Sequence, residues 1–204
     1  MAMMINDASL ERDLIASREA TGADRYDEAW EGMYMMSPLR NTEHQKFVSR
    51  FIYIFEELVG WPGLGVVMPG VNLSDRREGW KDNYRVPDVA VALNDSDVID
   101  CDTHWLGGPD LLVEVISKGD QTRDKIQWYG QLRVKELLVI DRYPWSIDLF
   151  RLQQDALIKV GQADVDNDLV LTCVTISVNL RLRLGEKRPQ IEVVARETDK
   201  TWMV

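Results

Sequence analysis

The sequence predicts a single α/β domain: a mixed β-sheet core flanked by helices, with extra strands toward the C-terminal end. Three observations carry this prediction. An amphipathic helix pattern runs over 42–59, two buried-type strand runs occupy 112–116 and 136–141, and a second helical pattern over 122–132 separates those strands. The order helix, strands, helix, strands, with no internal repeat, is that of one sheet covered by helices.

Residues 1–25 read as a polar lead-in, with Leu10, Leu14 and Ile15 at helical spacing and Thr21-Gly22 as a stop; residues 26–204 form the domain. An extended stretch at 32–36 ends at Ser37-Pro38. In the first long helix Thr42 and Gln45 match a capping box, and His44, Phe47, Val48, Phe51, Phe55, Leu58 and Val59 line one face. Gly60 closes it before the turn Trp61-Pro62-Gly63. Strand runs at 66–68 and 71–73 flank Pro69-Gly70, where a bend or bulge is expected. A polar loop over 74–83 leads to a strand predicted over 85–93, with Pro87 near its start. The loop carrying Asp95, Asp97, Asp100 and Asp102 does not match a calcium-binding EF-hand loop and reads as solvated. Beyond 136–141, a strand at 145–152 alternates apolar and polar positions. Shorter candidates follow at 156–160, 169–171, 175–180 and 190–194.

Composition narrows the function classes. Of 204 residues, 45% are hydrophobic and 28% charged, an ordinary globular balance. No apolar run reaches membrane-span length, so no membrane partner is expected. Cys101 and Cys173 form neither a disulfide framework nor a zinc motif, which fits a cytoplasmic setting. The net charge of −10 argues against broad electrostatic affinity for nucleic acid. Its distribution matters more than its sum, and basic residues cluster at 76–85, 118–125 and 181–188.

The chemistry centres on Glu114, in the middle of the most apolar strand run. A carboxylate there is costly unless paired or bound to a cation. Asp88 follows Pro87 on the preceding strand, and Lys125 falls early in the next helix. Two carboxylates on neighbouring strands can converge on a hard divalent cation, and a lysine beside it can stabilise negative charge on a phosphoryl group. Asp110 is also preceded by proline. It lies four residues from Glu114, about 13 Å along a continuous strand, too far to share one ion with it, and is expected to cap the strand entry or sit at the rim of the site. Glu43 and His44, at the start of the first helix, and Tyr129, one helical turn after Lys125, are candidate neighbours of the site. Each also has a structural explanation: an acidic residue suits a helix N-terminus, and a lysine and tyrosine four apart often support a helix face.

The ordered set Arg85-Val86-Pro87-Asp88-Val89-Ala90-Val91, Gly108-Pro109-Asp110 through Ser117, Asp124-Lys125 with Tyr129, and 136–141 resembles the PD-(D/E)XK, or restriction-endonuclease-like, superfamily. It is most similar to the bacterial Uma family within it. The likeness extends over 26–152, including Gly32 through Met36, Pro38 and His44. It implies a restriction-endonuclease-like fold and hydrolysis of DNA phosphodiester bonds. The implied cofactor is Mg2+, with Mn2+ able to stand in, held by Asp88, Glu114 and the Val115 carbonyl. It also implies a homodimer. The superfamily lysine belongs two residues after the glutamate, where this chain has Ile116; Lys125 matches its displaced place in the Uma branch. The acidic net charge and Ile116 support an alternative, a catalytically inactive nucleic-acid-binding or regulatory protein on a nuclease scaffold. In a plainer alternative, Glu114 and Lys125 form a structural ion pair.

Overall fold

The computed structural model describes residues 8–37, 40–119 and 121–204. The first residues of the lead-in lie outside this set, as does Pro38, at the expected end of the extended stretch. In chain order the elements are α1 (Ala8–Thr21), β1 (Glu28–Trp30), β2 (Met33–Met35), α2 (Thr42–Phe55), a π-helical turn (Glu56–Gly60), β3 (Gly65–Pro69), β4 (Leu73–Ser74), β5 (Tyr84–Arg85) and β6 (Val89–Leu93). Then come β7 (Ile99–Asp100), β8 (Trp105–Leu106), β9 (Leu111–Val115), a 3-10 turn (Thr122–Lys125), α3 (Ile126–Gln131), β10 (Glu136–Arg142), β11 (Trp145–Gln153) and β12 (Ala156–Asp164). The chain ends with β13 (Leu171–Cys173), β14 (Val178–Arg183), β15 (Gln190–Ala195) and β16 (Thr201–Met203).

The central sheet runs β12-β11-β10-β9-β6-β3 and is mixed: β9 and β10 are parallel, while the other neighbours are antiparallel. One face is covered by α2 and by the C-terminal sheet β13-β14-β15-β16, in a core that includes Phe51, Phe55, Val113, Ile140, Leu180 and Val193. The other face packs Leu112, Leu137 and Val139 against Tyr129 and Leu132 of the α3 region and Leu73 and Trp105 of a third sheet, ordered β2-β1-β5-β4-β8-β7. Burial on both faces explains why β9 and β10 read as continuous apolar runs rather than alternating ones.

Several boundaries depart from the sequence reading, each for a local reason. Asn41 caps α2 in place of Thr42, its side chain accepting the His44 N–H at 2.9 Å. The strand expected over 85–93 is interrupted at Val86-Pro87-Asp88, so β5 belongs to the third sheet and β6 to the central one. Proline cannot donate to a ladder, and here it marks the crossing between sheets. The helix expected over 122–132 begins as a 3-10 turn and becomes α-helical at Ile126. β1 was not anticipated. Glu31 and Gly32, both at positive φ, form a two-residue turn that pairs Glu28 with Met35. The third C-terminal run starts at Val178 instead of 175, and β16 adds an unforeseen edge to that sheet. Gly108 permits a close approach before β9: a Cβ there would lie 2.4 Å from the Val134 nitrogen.

Candidate functional site

Register brings the two leading carboxylates level. Val89 pairs with Val113 across the antiparallel β6–β9 ladder, so Asp88, one residue earlier, comes opposite Glu114. Asp88 Oδ2 accepts the Val115 N–H at 2.7 Å and lies 3.1 Å from His44 Nε2. Arg40 forms an ion pair with the other oxygen, Oδ1. Arg40 also packs over the Tyr26 ring, 4.0 Å from its centroid.

Glu114 projects from the face of β9 that meets α3. Its Oε1 accepts from Lys125 Nζ at 2.9 Å and from the Tyr129 hydroxyl at 2.6 Å. The 3-10 turn supplies the lysine and the first turn of α3 supplies the tyrosine. Lys125 Nζ also donates to Glu28 Oε1 at 2.8 Å. Glu28 accepts in addition from the Val86 N–H at 2.9 Å and the Trp30 indole at 2.8 Å. Asp88, Glu114, Lys125, Tyr129, His44 and Glu28 are all buried.

The electrostatics push the two aligned carboxyls apart. Burial raises Glu114 to about 7; Asp88 and Glu28 push the same way, and Lys125 opposes them. Burial also works against charge on Asp88, but the His44 hydrogen bond and the Arg40 guanidinium outweigh it and hold Asp88 below the usual carboxylate range. Lys125 loses hydration on burial, yet the charges of Glu114 and Glu28 raise its pKa. Burial, then Glu114 and Glu28, place the Tyr129 hydroxyl well above its ordinary value.

The remaining sequence candidates occupy different places. His44 joins Asp88, and Tyr129 joins Glu114. Glu43 instead pairs with Arg142 at 2.9 Å and Arg188 at 3.2 Å. Asp110, at the other end of β9, accepts the Leu93 N–H at 2.7 Å and pairs with Lys135 at 2.5 Å. Ile116 packs against the apolar cluster on the Glu114 face of the sheet. Sequence reasoning missed Glu28 and Arg40. The Glu31-Gly32 turn could have exposed Glu28 as a strand residue; no sequence pattern marks Arg40. A cavity of about 420 Å³, lined by Leu58, Leu93, Asn94 and Thr175 among others, contains none of the clustered residues.

The donor chemistry suits a hard divalent cation: two carboxylates at one level, beside the backbone at Val115. Among the described residues, no group of three or more His, Cys, Asp or Glu side chains could hold a metal ion.

The mixed central sheet, covered on one face by α2 and on the other by the α3 region, makes this an α/β protein. The chain belongs to the Uma2 family, described as "Putative restriction endonuclease", whose sequence model matches residues 19–185. Its fold is similar to the crystal structure of a "putative nuclease belonging to DUF820" from Anabaena variabilis ATCC 29413, with a TM-score of 0.59 and 16% identity, covering 74% of this chain and 82% of that one. At this identity the likeness concerns the fold alone. No curated protein matches the chain. Among the described residues, no helix is long and apolar enough to cross a membrane.

Proposed function

We propose that the protein is a metal-dependent endonuclease that hydrolyses DNA phosphodiester bonds. The observation that carries this reading is the alignment of Asp88 with Glu114, with Lys125 bonded to Glu114 at 2.9 Å. Asp88, Glu114 and the Val115 carbonyl would hold Mg2+, or Mn2+ in its place. Once bound, the ion would act as a Lewis acid toward the scissile phosphate and make water a stronger nucleophile. Lys125 places a positive charge beside the reacting phosphoryl group, where negative charge grows in the transition state. Tyr129 fixes the Glu114 carboxylate, and His44 with the Val115 N–H fixes Asp88.

Cutting both strands calls for two sites, and a homodimer would supply them. The unpaired outer edge of β3, with Val66 50% exposed, offers an edge for pairing. A monomeric mass by light scattering would overturn the dimer. The free thiols of Cys101 and Cys173 suit the reducing cytoplasm.

The test is Mg2+- or Mn2+-dependent cleavage of plasmid DNA by the wild type, Asp88→Ala and Glu114→Ala. Equal activity in all three would overturn the assignment. A second reading rests on the ion pairs themselves: Arg40 on Asp88 and Lys125 on Glu114 compensate both carboxylates without a metal. On that reading the protein binds nucleic acid without cutting it. Calorimetry separates the two, because only the nuclease reading requires Mn2+ binding that disappears in the Asp88 and Glu114 variants.

A further inference from the structure

We infer that Glu28 is a positioning residue that holds Lys125 in place when a cation takes over the Glu114 carboxylate; this rests on the nuclease reading. Lys125 is buried and shared between two acids, Glu28 at 2.8 Å and Glu114 at 2.9 Å. The two acids are anchored differently. Glu28 is held by the backbone N–H of Val86 and by the Trp30 indole, so its orientation does not depend on the lysine. Glu114 stands opposite Asp88 and would take part in holding a cation. A divalent cation there draws on the negative charge of Glu114 and repels the neighbouring ammonium group. With Glu114 as its only partner, Lys125 would either compete with the cation or be driven away from it. Glu28 supplies the second, independent carboxylate that prevents both outcomes.

The Val86 contact adds a second link. Val86 lies two residues before Asp88 in the segment that crosses from β5 to β6. Glu28 therefore ties the β1–β2 hairpin both to the lysine and to the chain that delivers Asp88. Arg85 reinforces this junction, its guanidinium lying 4.5 Å from the centroids of Trp30 and Trp128, with Nη1 donating to the Ala29 carbonyl at 2.7 Å. Glu28 does not reach the reacting atoms itself; it acts through Lys125.

The experiment compares wild type, Glu28→Gln, Glu28→Asp, Lys125→Met and the double variant Glu28→Gln/Lys125→Met. Plasmid cleavage and Mn2+ calorimetry are the readouts, with thermal melting to confirm folding. Glu28→Gln is expected to lower kcat by about 10–100-fold with little change in KM and to weaken Mn2+ binding, as loss of a residue supporting a metal site commonly does. Glu28→Asp should recover part of both. In the Lys125→Met background the Glu28 substitution should change neither, since the group it positions is gone. Equal effects of Glu28→Gln in both backgrounds, or none in either, would overturn the inference. If Lys125→Met does not fold, the double variant, which also removes the Glu28 charge, is compared directly with Glu28→Gln: similar kcat supports the inference, and a further large drop overturns it. A separate arm uses 15N NMR of metal-free, DNA-free protein. A Lys125 ammonium signal protected from solvent exchange should lose its protection in Glu28→Gln, and unchanged protection would overturn the clamp. Failure of the wild type to bind Mn2+ or cut DNA would overturn the nuclease reading instead, which this arm does not use.

Discussion

The two ends of β9 each bury a carboxylate against a lysine, and they do so in opposite ways. Asp110, just before the strand, caps the Leu93 N–H and pairs with Lys135, whose side chain is 48% exposed. Glu114, near the other end, pairs with Lys125, whose side chain is 9% exposed and which also serves Glu28. At the first end one acid meets one wet cation, and water can screen any imbalance. At the second end Asp88, Glu114 and Glu28 meet Arg40 and Lys125 in a nearly closed space. Burial of a carboxylate is common to both ends and so does not single out a site. What distinguishes the Glu114 end is several acids crowded around cations that water reaches poorly, which pushes apart the pKa values of Asp88 and Glu114.

The largest expected difference between the ends is in catalysis. On the proposed nuclease function, Glu114→Ala and Asp88→Ala should each reduce metal-dependent DNA cleavage by about 10²–10³-fold or more, the scale set by removing a preorganised charge-stabilising group. Asp110→Asn should leave cleavage within about threefold while costing about 1–3 kcal/mol of stability, through a weakened cap and ion pair. Plasmid cleavage and thermal melting on the same preparations check both halves. Comparable losses of cleavage at the two ends would erase the contrast.

Next in size is the stability carried by the lysine. Lys125→Met leaves Glu28 and Glu114 facing each other in a buried space without their shared cation. Breaking a buried pair from one side costs about 3–5 kcal/mol. Urea unfolding at neutral pH should show that loss, and the double variant with Glu28→Gln should regain part of it. No loss would mean that water already reaches this lysine.

The sequence exposed the skeleton of this end and concealed its surroundings. Glu114 was visible because a charge inside an apolar run needs an explanation, and Asp88 because proline placed it at the start of a strand. Both positions depend on local chain properties. Lys125 was found by its place in a family pattern, since nothing in its own helix distinguishes it from a solvated lysine. Glu28 and Arg40 stayed hidden because each lies far along the chain from its partner. Glu28 meets Lys125 only once the β1–β2 hairpin folds beside β5, a contact 97 residues apart. The break at Val86-Pro87-Asp88 escaped for a related reason: a β-rich run does not reveal that its two halves join different sheets. Glu43, whose position in a helix first turn also drew attention, pairs with Arg142 and Arg188, and Arg142 in turn donates to the Ile116 carbonyl two residues beyond Glu114.

An intermediate effect follows from pH. Burial raises Glu114 to about 7, against about 4.3 for an exposed glutamate. Between those values the unfolded chain has released a proton that the folded chain retains, so this residue's contribution to stability falls as pH rises. The contribution is complete below about 4.3, amounts to roughly 4 kcal/mol, and is gone above about 7. Asp88, lowered instead, contributes at pH values above the ordinary aspartate range and loses that contribution as the solution is acidified through its folded value. Urea unfolding of metal-free protein across pH 4.5–7.5 should give a flatter profile for Glu114→Gln than for wild type. Identical profiles would show that Glu114 is ionised throughout that range.

The smallest effect belongs to Lys135, and it tests what exposure does to an ion pair. Lys135→Met removes a contact to Asp110 as short as any that Lys125 makes to its acids. Distance alone would make the two lysines equal. The Lys135 side chain is half in water, however, so solvent can move into the position its ammonium group vacates and solvate the carboxylate. The Leu93 N–H remains bonded to the other oxygen. The expected cost is about 0–1 kcal/mol, shrinking further in high salt, where a screened surface charge loses most of its pull. Urea unfolding at low and high ionic strength, beside the same measurement on Lys125→Met, separates the pair by screening. A salt-insensitive loss of several kcal/mol for Lys135→Met would show that Asp110 is as sealed from water as Glu114.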